Sequence, residues 1–252
     1  MLDGARKLWS LANVGRPMYS GAIFFAARVA LDPTMARPWL PPGVSLARPA
    51  TATVFAAHFP QTSFGSVYDE AGVFIHVRRR LRDAVFCPWM VVTDDVAPTV
   101  GRELLGYPKK LAQVDFDHGG GIEGSEIRAD VRRRGETVLR LRGRVGEEVD
   151  AAPPMLGQRF LNVRGALGLG AQRLITFRPR ERIVTVRRAS AVLEIERRHA
   201  REPDRDPLGD LGLGAVSSAH LYRVDVSAGL PPRDVRGVGL GFALRGLGAR
   251  WL

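Results

Sequence analysis

Lysine is nearly missing from this chain. It has three, Lys7, Lys109 and Lys110, against 34 arginines. Cysteine is scarcer still, with Cys87 alone. A single thiol excludes an internal disulfide and fits a reducing, cytoplasmic setting. Cys87 reads as a buried structural thiol, since no nearby histidine supports a catalytic role. Long apolar runs are absent as well. The longest, GAIFFAARVAL at 21–31, is broken by Arg28 and falls short of the about 18 residues of a membrane span. The N-terminal MLDGARKLWSLANVGRPM lacks the apolar centre of a secretory signal. No membrane partner is expected. The five histidines, at 58, 76, 118, 199 and 220, share no metal-ligand spacing. There is no G-x-S-x-G elbow. Two glycine patterns, GALGLGAQR at 165–173 and GVGLGFALRG at 237–246, lack the strand–helix–strand setting of a nucleotide site. Neither a metal nor an organic cofactor is expected.

What is abundant is positive charge and strand pattern. The formal net charge is +11. The arginines are spread along the chain, and the clusters Arg78–Arg80 and Arg132–Arg134 are not interleaved with aromatics as a base-stacking platform would be. They read as solvated strand faces and turns, with phosphate contact or an oligomer interface as alternatives. No nucleic-acid partner is expected. Apolar runs with aromatics at 20–31, 52–59, 72–78 and 84–92 predict buried strands. SEIRADVR at 125–132 and TVLRLRGRV at 137–145 alternate with period two, and RRGE between them predicts a hairpin turn. RFLNVRG, RLITFRP, RIVTVRR, SAVLEIERR and HLYRVDVS add further candidates. Helices are few. Asp32 and Pro33 can open one in DPTMARPWL. APTVGRELLGYP predicts another, opened by Pro98 and stopped by Gly106 and Pro108. The fold class expected is β-rich α+β, one domain over residues 1–252, with the sheet closed or partly closed. The segment 201–214 reads as a polar loop, and the glycine-rich tail as a small helix or a loosely ordered end.

The lysine doublet then stands out. Chance in an Arg-rich composition is the plain explanation. The alternative is amine chemistry, because a guanidinium stays protonated and an ammonium can lose its proton when desolvated. Free lysine titrates near about 10.4. Burial lowers that value, and a dry site or a neighbouring cation makes the amine nucleophilic. If the segment from 109 is extended, Lys109 and Lys110 point to opposite faces. Burial, more than contact between the two ammoniums, would then depress the pKa.

GRELLGYPKKL at 101–111 resembles the G-R-E-L-x-x-Y-P-K-K-L signature of the acetoacetate decarboxylase family. IFFAARVALDPTMARPWLPPGVSL at 23–46, TSFGSVYDEAGVFIHV at 62–77 and PLGDLGLGAVSSAHL at 207–221 are similar to further blocks of that family, in order. The resemblance implies an antiparallel, cone-like β-barrel assembled into homo-oligomers. It implies Lys109 as the Schiff-base lysine and Lys110 as a tuning neighbour. Arg28 would hold a substrate carboxylate, a structural ion pair being the alternative. Glu70 would handle protons near the imine, simple solvent exposure being the alternative. One position departs from the pattern: decarboxylating members carry a second glutamate where TATVFAAHF places Phe55. Phe55 makes the pocket more apolar and hints at a substrate bulkier than acetoacetate. The implied activity is decarboxylation of a β-keto acid through Lys109. Pyruvate-type aldol and dehydration chemistry on the same imine, or a non-catalytic barrel that binds small anions, are the alternatives.

Overall fold

The structure, a computed structural model, describes residues 18–150, 155–165, 172–196, 206–227, 232–239 and 242. The N-terminal stretch, most of the 165–173 glycine pattern, the start of the 201–214 loop and most of the glycine-rich tail lie outside them. Fifteen strands are described: β1 Tyr19–Leu31, β2 Ser45–Leu46, β3 Thr51–Phe59, β4 Gln61–Thr62, β5 Tyr68–Arg79, β6 Arg82–Val92, β7 Lys109–Leu111 and β8 Gln113–Asp117. They continue with β9 Glu126–Arg133, β10 Glu136–Glu148, β11 Phe160–Arg164, β12 Arg173–Phe177, β13 Arg180–Ile195, β14 Leu213–Ser227 and β15 Arg233–Gly237. RIVTVRR and SAVLEIERR, read as separate strands, are one long strand, β13.

All of them join one sheet in the order β15-β12-β11-β6-β5-β3-β1-β14-β13-β10-β9-β8, with β2 on β5, β4 on β1 and β7 on β6. Pairing is mostly antiparallel. The closed barrel expected from the family resemblance is not formed. Among the described residues the two ends, β15 and β8, do not pair with each other. Instead β8 lies close to β3, β5 and β6, and its Val114 is buried in one core with Val54, Val73 and Val91.

This curl explains the sequence pattern. The central strands β1, β3, β5 and β6 are covered on both faces, so they read as nearly continuous apolar runs. Ile23, Phe25, Ala27 and Val29 of β1 face one core with Val73, Leu139 and Leu141. Ala22, Phe24 and Ala26 face a second core with Phe55, Phe74 and Phe160. The outer strands β9, β10 and β13 cover one side only and alternate apolar with charged. Their arginines meet carboxylates across the exposed face: Arg140 and Arg142 with Asp130, Arg188 with Glu147. Arg78, Arg80, Arg132 and Arg134 are exposed, as read, whereas Arg133 turns inward and pairs with the buried side chain of Asp206 at 3.1 Å. At the RRGE hairpin, Arg134 (φ 53°) and Gly135 (φ 81°) both take the left-handed conformation, the geometry of a type I′ turn.

Pro88 lies in a central strand, where it cannot donate to the ladder. A bulge accommodates it: Cys87 and Pro88 together oppose Phe74, between the pairs Val73–Trp89 and Ile75–Phe86. Beyond the bulge Met90 and Val92 both face the second core. Asp32 caps the short helix Pro33–Ala36 through Thr34 N–H at 2.8 Å. The helix Val96–Leu105 starts two residues before Pro98, with Asp94 accepting from Val96 and Ala97 N–H. Gly106, at φ 66°, ends it as predicted.

Candidate active site

Strand register decides which side chains can meet. Glu70 of β5 lies opposite Val92 of β6, and Met90, two residues earlier, lies beside Lys109 of β7. Period-two alternation puts Glu70, Met90, Val92 and Lys109 on the same face. Two strand spacings separate β5 from β7, about 10 Å, which the lysine and glutamate side chains bridge by reaching towards each other. Lys109 Nζ reaches Glu70 at 2.7 Å, and both side chains are buried. Lys110 lies beside Val91 and so points to the opposite face. It too is buried, 4 % exposed, and among the described residues its ammonium has no hydrogen-bond partner.

The motif around the doublet has local physical reasons. A methyl group on Gly101 would sit 2.6 Å from Cδ and 2.7 Å from Cε of Lys109, so the helix is bare where the lysine chain passes. Arg102 Nε donates to the Lys109 carbonyl at 2.6 Å and fixes β7 against the same helix. Gly106 and Pro108 stop the helix, and Tyr107 between them lines the pocket.

The pocket is about 760 Å³, open mouth included. Its wall is largely aromatic: Phe24, Phe55, Phe59, Phe74, Tyr107, Phe160 and Phe177. Phe55 lies over Gly72, where an added Cβ would come within 2.7 Å of its ring, and stacks on Phe74 at 5.2 Å. Lys109 Nζ lies 5.3 Å from the Tyr68 ring centre and 5.9 Å from that of Tyr107. It also makes a long 3.5 Å contact to Tyr68 Oη. Burial pushes the phenols of Tyr19, Tyr68 and Tyr107 up, so all three stay protonated.

The charges differ from the sequence reading in one respect. Burial is the strongest influence on Lys109 and pulls its pKa down as expected. The Glu70 carboxylate, with smaller help from other groups, outweighs it and holds the ammonium above its usual range. Burial in turn pushes Glu70 up against the pull of Lys109. The resting amine is therefore dry but charged. The sequence reading allowed for the loss of water and, by resemblance, for Glu70 near the imine, but not for that carboxylate holding the resting amine charged. Lys110, by contrast, is lowered to about 8, by burial first, with Asp206 opposing and Arg133, Arg134 and Arg102 assisting.

Arg28 does not line this pocket. It pairs with Thr53, which pairs with Phe74, four residues along β5 from Glu70 and so about 13 Å away. The stacked Phe55 and Phe74 belong to the pocket wall, and Arg28 sits with Thr53 and His76. Burial and the Arg28 charge lower His76 to about 4. A residue that sequence did not single out, Glu181 of β13, does line the pocket. Between Arg180 and Arg182 it reads as one more charge on a solvated strand.

Residues 7–235 match the acetoacetate decarboxylase family. Among solved structures, acetoacetate decarboxylase from Legionella pneumophila superposes with a TM-score of 0.75 at 18 % identity, over 88 % of each chain. The enduracididine biosynthesis enzyme MppR complexed with pyruvate superposes at 0.73 with 17 % identity, over 85 % of this chain and 88 % of that one. An acetoacetate decarboxylase-like enzyme from Sphingomonas wittichii RW1 superposes at 0.70 with 19 % identity, over 86 % and 92 %. No curated protein matches the sequence at a significant level.

Proposed function

Since the chain belongs to the acetoacetate decarboxylase family, we propose that it is an imine-forming lyase that decarboxylates a β-keto acid through Lys109. The observation that carries this reading is the buried Lys109–Glu70 pair at 2.7 Å on the wall of an aromatic pocket.

The pair supplies a route to a free amine without exposing it to water. A proton moves from Lys109 Nζ to Glu70, leaving amine and carboxylic acid, both neutral. The amine adds to the substrate ketone, and the carbinolamine loses water to give a protonated imine. The bond to the substrate carboxylate then breaks, CO₂ departs, and the electron pair enters the iminium as an enamine. Glu70, whose first proton left with the carbinolamine hydroxyl as water, takes another from solvent and is the positioned donor to the α-carbon. Water hydrolyses the new imine and frees the shortened ketone and Lys109. The net reaction consumes one proton from solvent. The apolar wall assists because a substrate carboxylate there has lost water, and CO₂ release disperses its charge.

A second reading keeps the imine and changes the electrophile: the enamine of a pyruvate-like acid attacks an aldehyde. The likeness to MppR, solved with the condensation product of pyruvate and imidazole 4-carboxaldehyde, favours keeping it.

Borohydride trapping tests the proposal. A β-keto acid plus borohydride should leave one reduced adduct mapping to Lys109, with CO₂ released in its absence. Lys109→Arg should give neither. Turnover by that variant, or an adduct only on Lys7 or Lys110, sinks the proposal. Ligand binding without any adduct would instead mark a non-catalytic binder.

A further inference from the structure

Glu181 has no part in the chemistry above, yet it shares the pocket with Lys109. β12 ends at Phe177, and Pro179 and Glu181 follow it along the pocket wall. Rings mark the way between the two groups. Phe160 stacks on Phe177 at 5.2 Å, and Tyr107 meets Phe177 edge-on at 5.9 Å. Tyr107 also feels both ends: its ring lies 5.9 Å from Lys109 Nζ, and its phenol senses the Glu181 charge. Lys109 is almost fully buried and Glu181 is half-buried, so the amine marks the deep end and the carboxyl the outer one.

The carboxyl is held, not loose. Glu181 Oε2 accepts the Gly157 N–H at 2.5 Å. Among the described residues no donor is placed on Oε1. The groups facing it are the Tyr107 and Tyr222 phenols, whose pKa values its charge raises, and the Arg178 guanidinium. An acceptor fixed at the outer end of an aromatic channel selects for a donor.

We infer that Glu181 is a specificity-determining residue: it hydrogen-bonds a hydroxyl or amino group at the end of the substrate remote from the ketone. The substrate class is then a β-keto acid whose ketone carries an arene-sized apolar body ending in a hydrogen-bond donor. This rests on the imine reading of Lys109 given above. Burial raises Glu181 to about 7, with the Gly157 N–H and Arg178 pulling the other way. Selection for a donor should therefore strengthen as pH rises through neutrality and the carboxylate forms.

The test uses ketones that such acids would yield, because they are stable and form the same imine. Benzylacetone and para-hydroxybenzylacetone are each trapped with borohydride on the full chain, between pH 6 and 8. The concentration for half-maximal adduct at Lys109 should be lower for the hydroxylated ketone by roughly ten- to a hundredfold at the upper pH. The preference should shrink at the lower pH. Glu181→Gln should remove its pH dependence, and Glu181→Leu the preference itself, while both still trap benzylacetone. Equal trapping of the two ketones by the native chain, or a preference that survives in Glu181→Leu, overturns the inference and leaves the imine reading standing. Absence of any Lys109 adduct with either ketone and with β-keto acids overturns both.

Discussion

Lys109 and Lys110 are chain neighbours whose ammoniums behave oppositely, which makes them good residue-scale probes. Lys109 is held up by Glu70. Replacing that carboxylate with an amide, Glu70→Gln, removes the main opponent of burial, so the amine should lose its proton more easily. The midpoint of borohydride trapping against pH should move down. Turnover should fall by roughly a hundred- to ten-thousandfold, because the proton acceptor is gone. An unmoved trapping midpoint would show that Glu70 does not control the amine. Lys110 carries the reverse prediction. Its pKa is about 8 in the folded chain and about 10.4 unfolded. Between those values only the unfolded chain holds the proton, so stability rises with pH across that window and the cost is complete below it. At neutral pH the cost is roughly 3 kcal/mol. Lys110→Met should therefore raise the melting temperature at pH 7, and the gain should shrink towards pH 10.

At the scale of elements, the site is a contact between the helix Val96–Leu105 and the three-residue strand β7. Gly101 leaves the space through which the lysine chain runs, and Arg102 fastens the strand backbone. Gly101→Ala should push Cδ and Cε off their path, separating Nζ from Glu70. Adduct yield should drop more than tenfold, with about 1–3 kcal/mol lost from stability. Unchanged trapping would mean that the lysine is free to re-route. Much of this element was legible beforehand. Helix stop, extended doublet and opposite faces all follow from Gly106, Pro108 and period two, because they depend on nearest neighbours. Glu70 against Lys109 was legible through motif resemblance alone, since strand register two ladders away is not written locally. Arg28 was placed by the same resemblance, yet register sets it four residues beyond the Glu70 row. Glu181 was invisible, because a glutamate between two arginines carries no sign of the pocket it faces.

For the whole molecule, one sheet with two apolar faces divides its work. The face carrying Phe25 closes into a filled core; the face carrying Phe24 is hollowed into the pocket. Adjacent substitutions on β1 should separate stability from function. Phe25→Ala should cost about 3–5 kcal/mol by thermal melting and leave the ketone preference of the surviving fold alone. Phe24→Ala should cost less and widen the range of ketones trapped at Lys109. Equal effects on both measurements would deny the division. The fully buried central runs were legible from periodicity, but eleven candidate segments stood for fifteen strands: two of them merge in β13, and β2, β4, β7, β8 and β15 carry too little periodic pattern to be counted. Closure was not: whether fifteen strands meet end to end or curl past one another depends on β8 packing across β3, β5 and β6, which no local pattern encodes.

The parallel ladder between β6 and β7 has a consequence for redesign. Sliding β7 by one residue would deliver Lys110, not its neighbour, to the pocket, so the strand by itself does not choose which amine enters it. The choice belongs to the bare spot on the helix and to the guanidinium grip beside it. Shifting that pair of anchors one position along the chain would exchange the amine in the pocket without adding a new lysine, with a spare already in place.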